Sequence, residues 1–123
     1  MVSNLTNILP ERIIVKMNIK SLDALWRKIV MKKHGNRSLY SGLLATEVHH
    51  IITRGRRNTR WDIDNGCPLT VEEHRCLHNN STFKKLVYCR IGQAKIDNLQ
   101  RKSVQYFDKD FERIEKELKQ WGN

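Results

Sequence analysis

Four of the chain's five histidines sit between positions 49 and 78 in two pairs of different spacing, and that pattern limits the fold more than any other feature. His49 and His50 are adjacent within residues 46–53 (TEVHHIIT), a short β-branched run that reads as a strand. His74 and His78 lie four apart in a segment that reads as a helix over about 71–79. That spacing puts both imidazoles on one helical face, about 6 Å apart at Cβ, close enough to share one metal ion. Neighbours on a strand point to opposite sides, so His49 and His50 cannot easily do the same job. One can complete a metal site while the other faces a substrate. Either pair alone has a plain alternative: a hydrogen-bonded core histidine, or a chance H-x-x-x-H. Their combination in strand–turn–strand–helix order is harder to dismiss.

The flanking sequence frames this unit. Residues 1–20 read as an extended lead-in broken by Pro10, with a short strand at Ile13-Ile14-Val15. Ser21 can cap a helix over about 22–33, in which Leu22, Leu25, Trp26, Ile29 and Val30 form one apolar stripe. Lys32 and Lys33 suit its last turn and Gly35 its stop. Residues 36–46 read as a loop, 54–65 as a polar excursion and 67–69 as a second short strand. Thr70 and Glu73 then match a capping box at the start of the 71–79 helix. Helices are expected over about 82–91, capped by Ser81, and weakly over 93–104. A last helix runs from a cap at Asp108 to Trp121, with Phe111, Ile114, Leu118 and Trp121 on one stripe. The fold class is α+β: a small strand–strand–helix core at about 46–79 with flanking α-helices, in one domain spanning 1–123.

Charge narrows the partner. The net charge is +10, and residues 108–123 hold four bases against five acids, so the excess lies in the body of the chain. A basic body attracts a polyanion, and nucleic acid is the usual one. Arg54, Arg56, Arg57 and Arg60 crowd the excursion TRGRRNTR without an acid among them. They are expected to contact phosphates, which positions DNA without reading its sequence. Arg60-Trp61-Asp62 has a second reading, as an internal packing and salt-bridge unit. No apolar run approaches the roughly 20 residues that span a membrane, and no secretory leader is expected at the N-terminus. Cys67, Cys76 and Cys89 are odd in number and form no CxxC pair, which suggests a reducing, intracellular setting.

Glu47-Val48-His49-His50, Asn65, His74 and His78 resemble the HNH (ββα-metal) endonuclease signature, in the His-rich form seen in colicin nuclease domains. The stretch HHIITRGRRNTRWDIDNG, with DALWRKIV upstream, is also similar to small phage and prophage HNH proteins. The resemblance is strong over 46–79 and weak over about 22–120. It implies a ββα-metal core, a DNA endonuclease activity, His50 as general base, and His49, His74 and His78 as ligands of one divalent metal. An unperturbed imidazole pKa near 6.5 suits such a base. Asn65 would tie the turn between the strands and hold the His50 backbone. Glu47, on the same side as His49, would bond a ligand imidazole or else form a surface salt bridge. Three imidazoles suit Zn, Ni, Co or Mn, with Mg able to support activity. The resemblance further implies duplex DNA met at the minor groove through its backbone, with 5′-phosphate and 3′-hydroxyl products. The active species would be a monomer or homodimer.

One departure stands out. Many phage-type relatives carry a structural zinc ribbon with two CxxC pairs, and here those places hold Ser38 and Ser41, then Thr70 and Glu73. No structural zinc ribbon is expected, and Cys67 and Cys76 read as packing residues. The alternative to a nuclease is a non-cleaving nucleic-acid-binding module with a structural metal. A weaker third reading is a His–metal domain that mediates protein contacts.

Overall fold

An apolar stripe of 3.6-residue period opens the computed structural model, which describes residues 10–105 and 110–122. Leu22, Trp26, Ile29 and Val30 all lie buried along one face of α1 (Glu11–Lys33). The helix starts well before residue 22. Pro10, at φ −59°, precedes the first turn, where its missing N–H costs nothing, so it begins the helix instead of breaking a strand. The expected strand at 13–15 is therefore helical. Local β-branching yields there to a continuous helix whose Ile19 packs against the core. Residues 1–9 lie outside the described residues. Past Lys33 the chain turns through Gly35 (φ +63°) and Asn36 (φ +58°), left-handed conformations that suit glycine and asparagine.

The chain then makes β1 (Glu47–His50), a short helix α2 (Arg57–Arg60), one 3-10 turn (Ile63–Asn65), β2 (Gly66–Leu69) and α3 (Val71–Asn79). Next come α4 (Ser81–Ile91), α5 (Gln93–Ser103) and α6 (Phe111–Gly122). Among the described residues the fold is α+β and mostly helical, with one two-stranded antiparallel sheet. The side chain of Asn80, not Ser81, caps α4 by accepting from Phe83 N at 3.0 Å. The weak 93–104 pattern is a real helix because Ile96 and Leu99 are buried. Asp108 lies outside the described residues; Asp110 accepts from Arg113 N at 3.0 Å near the start of α6. The last stripe holds for Leu118, Phe111 and Ile114. Trp121 is 62% exposed, with Lys33 over its ring at 5.5 Å. Among the described residues, no helix is long and apolar enough to cross a membrane.

The ribbon separates two apolar clusters. Its register pairs Glu47 with Leu69, Val48 with Pro68, His49 with Cys67, and His50 with Gly66. Val48 packs into a cluster of Leu22, Trp26, Ile29, Val30, Trp61, Ile63 and Leu118. Cys67 and Leu69 belong to the other, with Ile51, Leu77, Val87, Ile96 and Leu99. Burial pushes the Cys67 thiol up to about 12, so it acts as a small apolar residue. Strand alternation therefore assigns His50 to the α1 side and His49 to the α3 side. Gly66 brings the ribbon onto α1. A Cβ there would sit 2.6 and 2.7 Å from the Val30 methyls and 3.1 Å from Trp26.

Candidate metal centre and cleft

The start of α3 sets the position of its histidines. Thr70 Oγ1 accepts from Glu73 N at 3.1 Å, and Glu73 Oε1 accepts from Thr70 N at 2.9 Å, completing the expected capping box. Ser38 Oγ donates to Glu73 Oε1 at 2.6 Å and accepts from Tyr40 N and Ser41 N, both at 3.1 Å. Ser38, Ser41, Thr70 and Glu73 thus meet as a hydrogen-bonded knot tying the 38–41 loop to the helix start. Burial works to raise the Glu73 carboxyl. Its bonds from Ser38, Ser41 and Thr70 outweigh that and hold it low.

One turn into this helix, His74 and His78 meet His49 from β1. Each of the three offers a nitrogen, and those nitrogens all lie within 4.8 Å of one another, close enough to bind one metal ion. His74 Nε2 and His78 Nε2 are 3.2 Å apart. Two nitrogens sharing a tetrahedral ion at 2.0–2.1 Å stand about 3.3 Å apart, so the pair fits a single cation. The outer bonds suit this use. Glu47 Oε1 lies 2.6 Å from His74 Nδ1. A carboxylate accepts, so Nδ1 carries the proton and Nε2 keeps its lone pair. His49 Nε2 lies 3.0 Å from the Tyr88 hydroxyl, which donates to the Ile51 carbonyl at 3.2 Å. With that proton committed, Tyr88 accepts from His49 Nε2–H and leaves Nδ1 open. Burial, then the neighbouring His74 and His78, push His49 down to about 3, so it stays neutral at pH 7 as a ligand must.

His50 lines the same cleft of about 640 Å³ from the opposite strand face. Its ring stacks on Trp26, with centroids 4.0 Å apart and 15° between planes. Its Nε2 lies 3.1 Å from the Arg60 carbonyl. A carbonyl only accepts, so Nε2 carries the proton and Nδ1 is the basic atom. Burial pushes His50 down to about 4, well below the ordinary imidazole value, against a smaller rise from the Arg60 carbonyl. The imidazole is thus unprotonated throughout the neutral range. Asn65 is fully buried. It ties the excursion at Ile52, two residues past His50: Oδ1 accepts from Ile52 N at 2.7 Å and Nδ2 donates to Ile52 O at 3.1 Å.

The four arginines part company. Arg54 lines the histidine cleft with Arg27 and Lys84. Arg56 is exposed at the start of α2. Arg57 lines a separate cavity of about 480 Å³ against α6. Arg60 is not a free phosphate contact: its Nη2 and Nε donate to Asp23 at 2.7 and 2.9 Å, and its side chain is only 16% exposed. Arg60 thus forms an internal salt bridge, but to Asp23 of α1; Asp62, its neighbour in the Arg60-Trp61-Asp62 run, pairs instead with Lys102 at 3.1 Å. Burial works to raise the Asp23 carboxyl, but Arg60 and the Trp61 indole hold it below the usual range.

Sequence reasoning does not single out Asp23, Lys84 or Tyr88, and it places Trp26 in the core before any stacking role. Tyr88 is 39 residues from His49 and carries no local signal. Asp23 had a faint one, as an acid three residues before Trp26, beside a buried stripe. No protein-family model, curated protein or solved structure matches the chain.

Proposed function

We propose that the protein is a metal-dependent DNA endonuclease of the HNH (ββα-metal) type that nicks or cuts duplex DNA with low sequence specificity. One observation carries this reading. Three histidine nitrogens gather within 4.8 Å, while His50, held in one tautomer, lines the same cleft from the other strand face. A purely structural metal would give His50 no task. His49, His74 and His78 would hold a divalent cation (Zn, Ni, Co or Mn, with Mg able to support turnover), which would supply positive charge to offset the charge that builds up as the phosphodiester is cut.

The chain's own residues do the rest. His50 Nδ1 takes a proton from water as the water oxygen attacks phosphorus. The bond from phosphorus to the 3′ oxygen breaks, and that oxygen takes a proton from solvent, leaving 5′-phosphate and 3′-hydroxyl ends. Arg54 and Lys84 hold phosphates at the rim of the cleft, and Arg56 extends the basic track. Asn65 fixes the turn that carries the base, and Glu47 fixes His74. A monomer has one such site and cuts one strand per visit; a homodimer would cut both. The expected setting is the cytoplasm of a bacterial or phage-infected cell.

The test uses supercoiled plasmid. Nicking is expected with Mn, Ni or Mg and is stopped by a chelator, and His50→Ala abolishes it while DNA binding persists. Wild-type protein that binds DNA but fails to cut it with any of these metals would leave the binding-module reading in place.

A further inference from the structure

Asp23 and Trp26 lie three residues apart on α1, and both act on His50 of the ribbon by different routes. Trp26 lies flat against the imidazole, and its own Nε1 donates to the Asp62 carbonyl at 2.7 Å, so the platform is anchored. Asp23 works at one remove. Its carboxylate accepts from Arg60 Nε and Nη2 and also from Trp61 Nε1, at 2.9, 2.7 and 2.9 Å. Three donors from two successive residues converge on one acid. The peptide between those two residues carries the Arg60 carbonyl, the acceptor for His50 Nε2 at 3.1 Å. A bidentate Arg–carboxylate pair is directional as well as strong, so the clamp sets the orientation of that peptide plane.

We infer that Asp23 is a positioning residue for the base: by clamping Arg60 and Trp61 it aims the carbonyl that holds His50 in the Nε2–H tautomer, while Trp26 blocks rotation of the ring. The consequence for turnover rests on the nuclease reading; the consequence for the imidazole rests on geometry alone. Nothing in the H-x-x-x-H pattern includes this unit. It spans 37 residues of chain, from α1 to the end of α2.

Two readouts test it on the full chain. The first is a two-bond ¹H–¹⁵N spectrum of labelled histidine without metal. Wild type is expected to show His50 as the Nε2–H tautomer, and Asp23→Asn a mixture of both tautomers. The second is plasmid nicking. Asp23→Asn is expected to lower kcat about tenfold, the scale on which outer partners of site residues act. KM and DNA affinity should stay within about twofold, since Asp23 touches no phosphate in this account. Asp23→Glu, which keeps the carboxylate, should recover part of both signals. If Asp23→Asn does not fold, Arg60→Lys removes the bidentate geometry and carries the same expectations. A wild-type spectrum and wild-type kcat in the folded variant overturn the inference. If the wild type cuts no DNA, the nuclease reading falls by itself and the tautomer spectrum alone decides the clamp.

Discussion

The two faces of the β1–β2 ribbon carry the same side chain one residue apart, yet they are built in opposite ways. On the α3 side, His49 joins His74 and His78, and their outer bonds to Glu47 and Tyr88 occupy the other nitrogens of His74 and His49. That face gathers lone pairs at one point. On the α1 side, His50 stands alone, pressed on an indole and tied to a backbone carbonyl. That face immobilises one imidazole and gathers nothing. A cation needs several converging donors, whereas a base needs one well-aimed atom. Adjacent residues can serve both needs only because strand alternation sends them to different neighbours.

If the two faces are distinct, their losses should separate. The largest effect is expected from His50→Ala, which should lower nicking by about 10²–10⁴-fold. Calorimetry should still show one metal bound per chain at wild-type affinity; loss of metal in that variant would merge the faces. On the other side, Glu47→Gln is expected to weaken metal affinity by about 10–100-fold, measured by competition with a chromophoric chelator. His50 should keep its tautomer in that variant.

Stability tests the packing that holds the faces apart. Gly66→Ala drives a methyl into Val30 and Trp26. It should cost about 1–3 kcal/mol in urea unfolding, because the contacts are a buried valine and the indole under His50. Thr70→Ala removes half of the capping box and should cost about 1 kcal/mol, with weaker metal binding as the helix start frays. Acid sensitivity gives a further test of that packing. His49 and His50 sit at about 3 and about 4 when folded and near 6.5 when unfolded. Between those values the unfolded chain binds more protons, so metal-free stability should be full above about pH 6.5 and fall toward pH 4. Replacing His50 with Gln should make that slope shallower; an unchanged slope would mean His50 is not held neutral by the fold.

The two faces also differed in how far the sequence exposed them. The α3 face rests on local rules: β-branching around Val48, a cap at Thr70, a four-residue spacing on a helix. Each acts over a single turn or strand, so the convergence of His49, His74 and His78 was legible in advance. The α1 face rests on contacts between distant segments. Nothing near Asp23 says that it meets Arg60, and an indole under an imidazole looks from the sequence like any buried tryptophan. Arg60 shows the limit of local reading: the run Arg60-Trp61-Asp62 suggests a salt-bridge unit, but the acid it meets is Asp23, 37 residues away. The extension of α1 back to Glu11 was missed for a related reason. Ile13-Ile14-Val15 favours a strand locally, but a lone strand has no partner and the helix continues through it.

Anomalous diffraction from crystals soaked in Mn or Zn tests the distinction between the faces most directly. One peak is predicted among the imidazoles of His49, His74 and His78, with His50 unligated and still stacked on Trp26. A peak bound to His50, or none at the three ligands, would contradict the account.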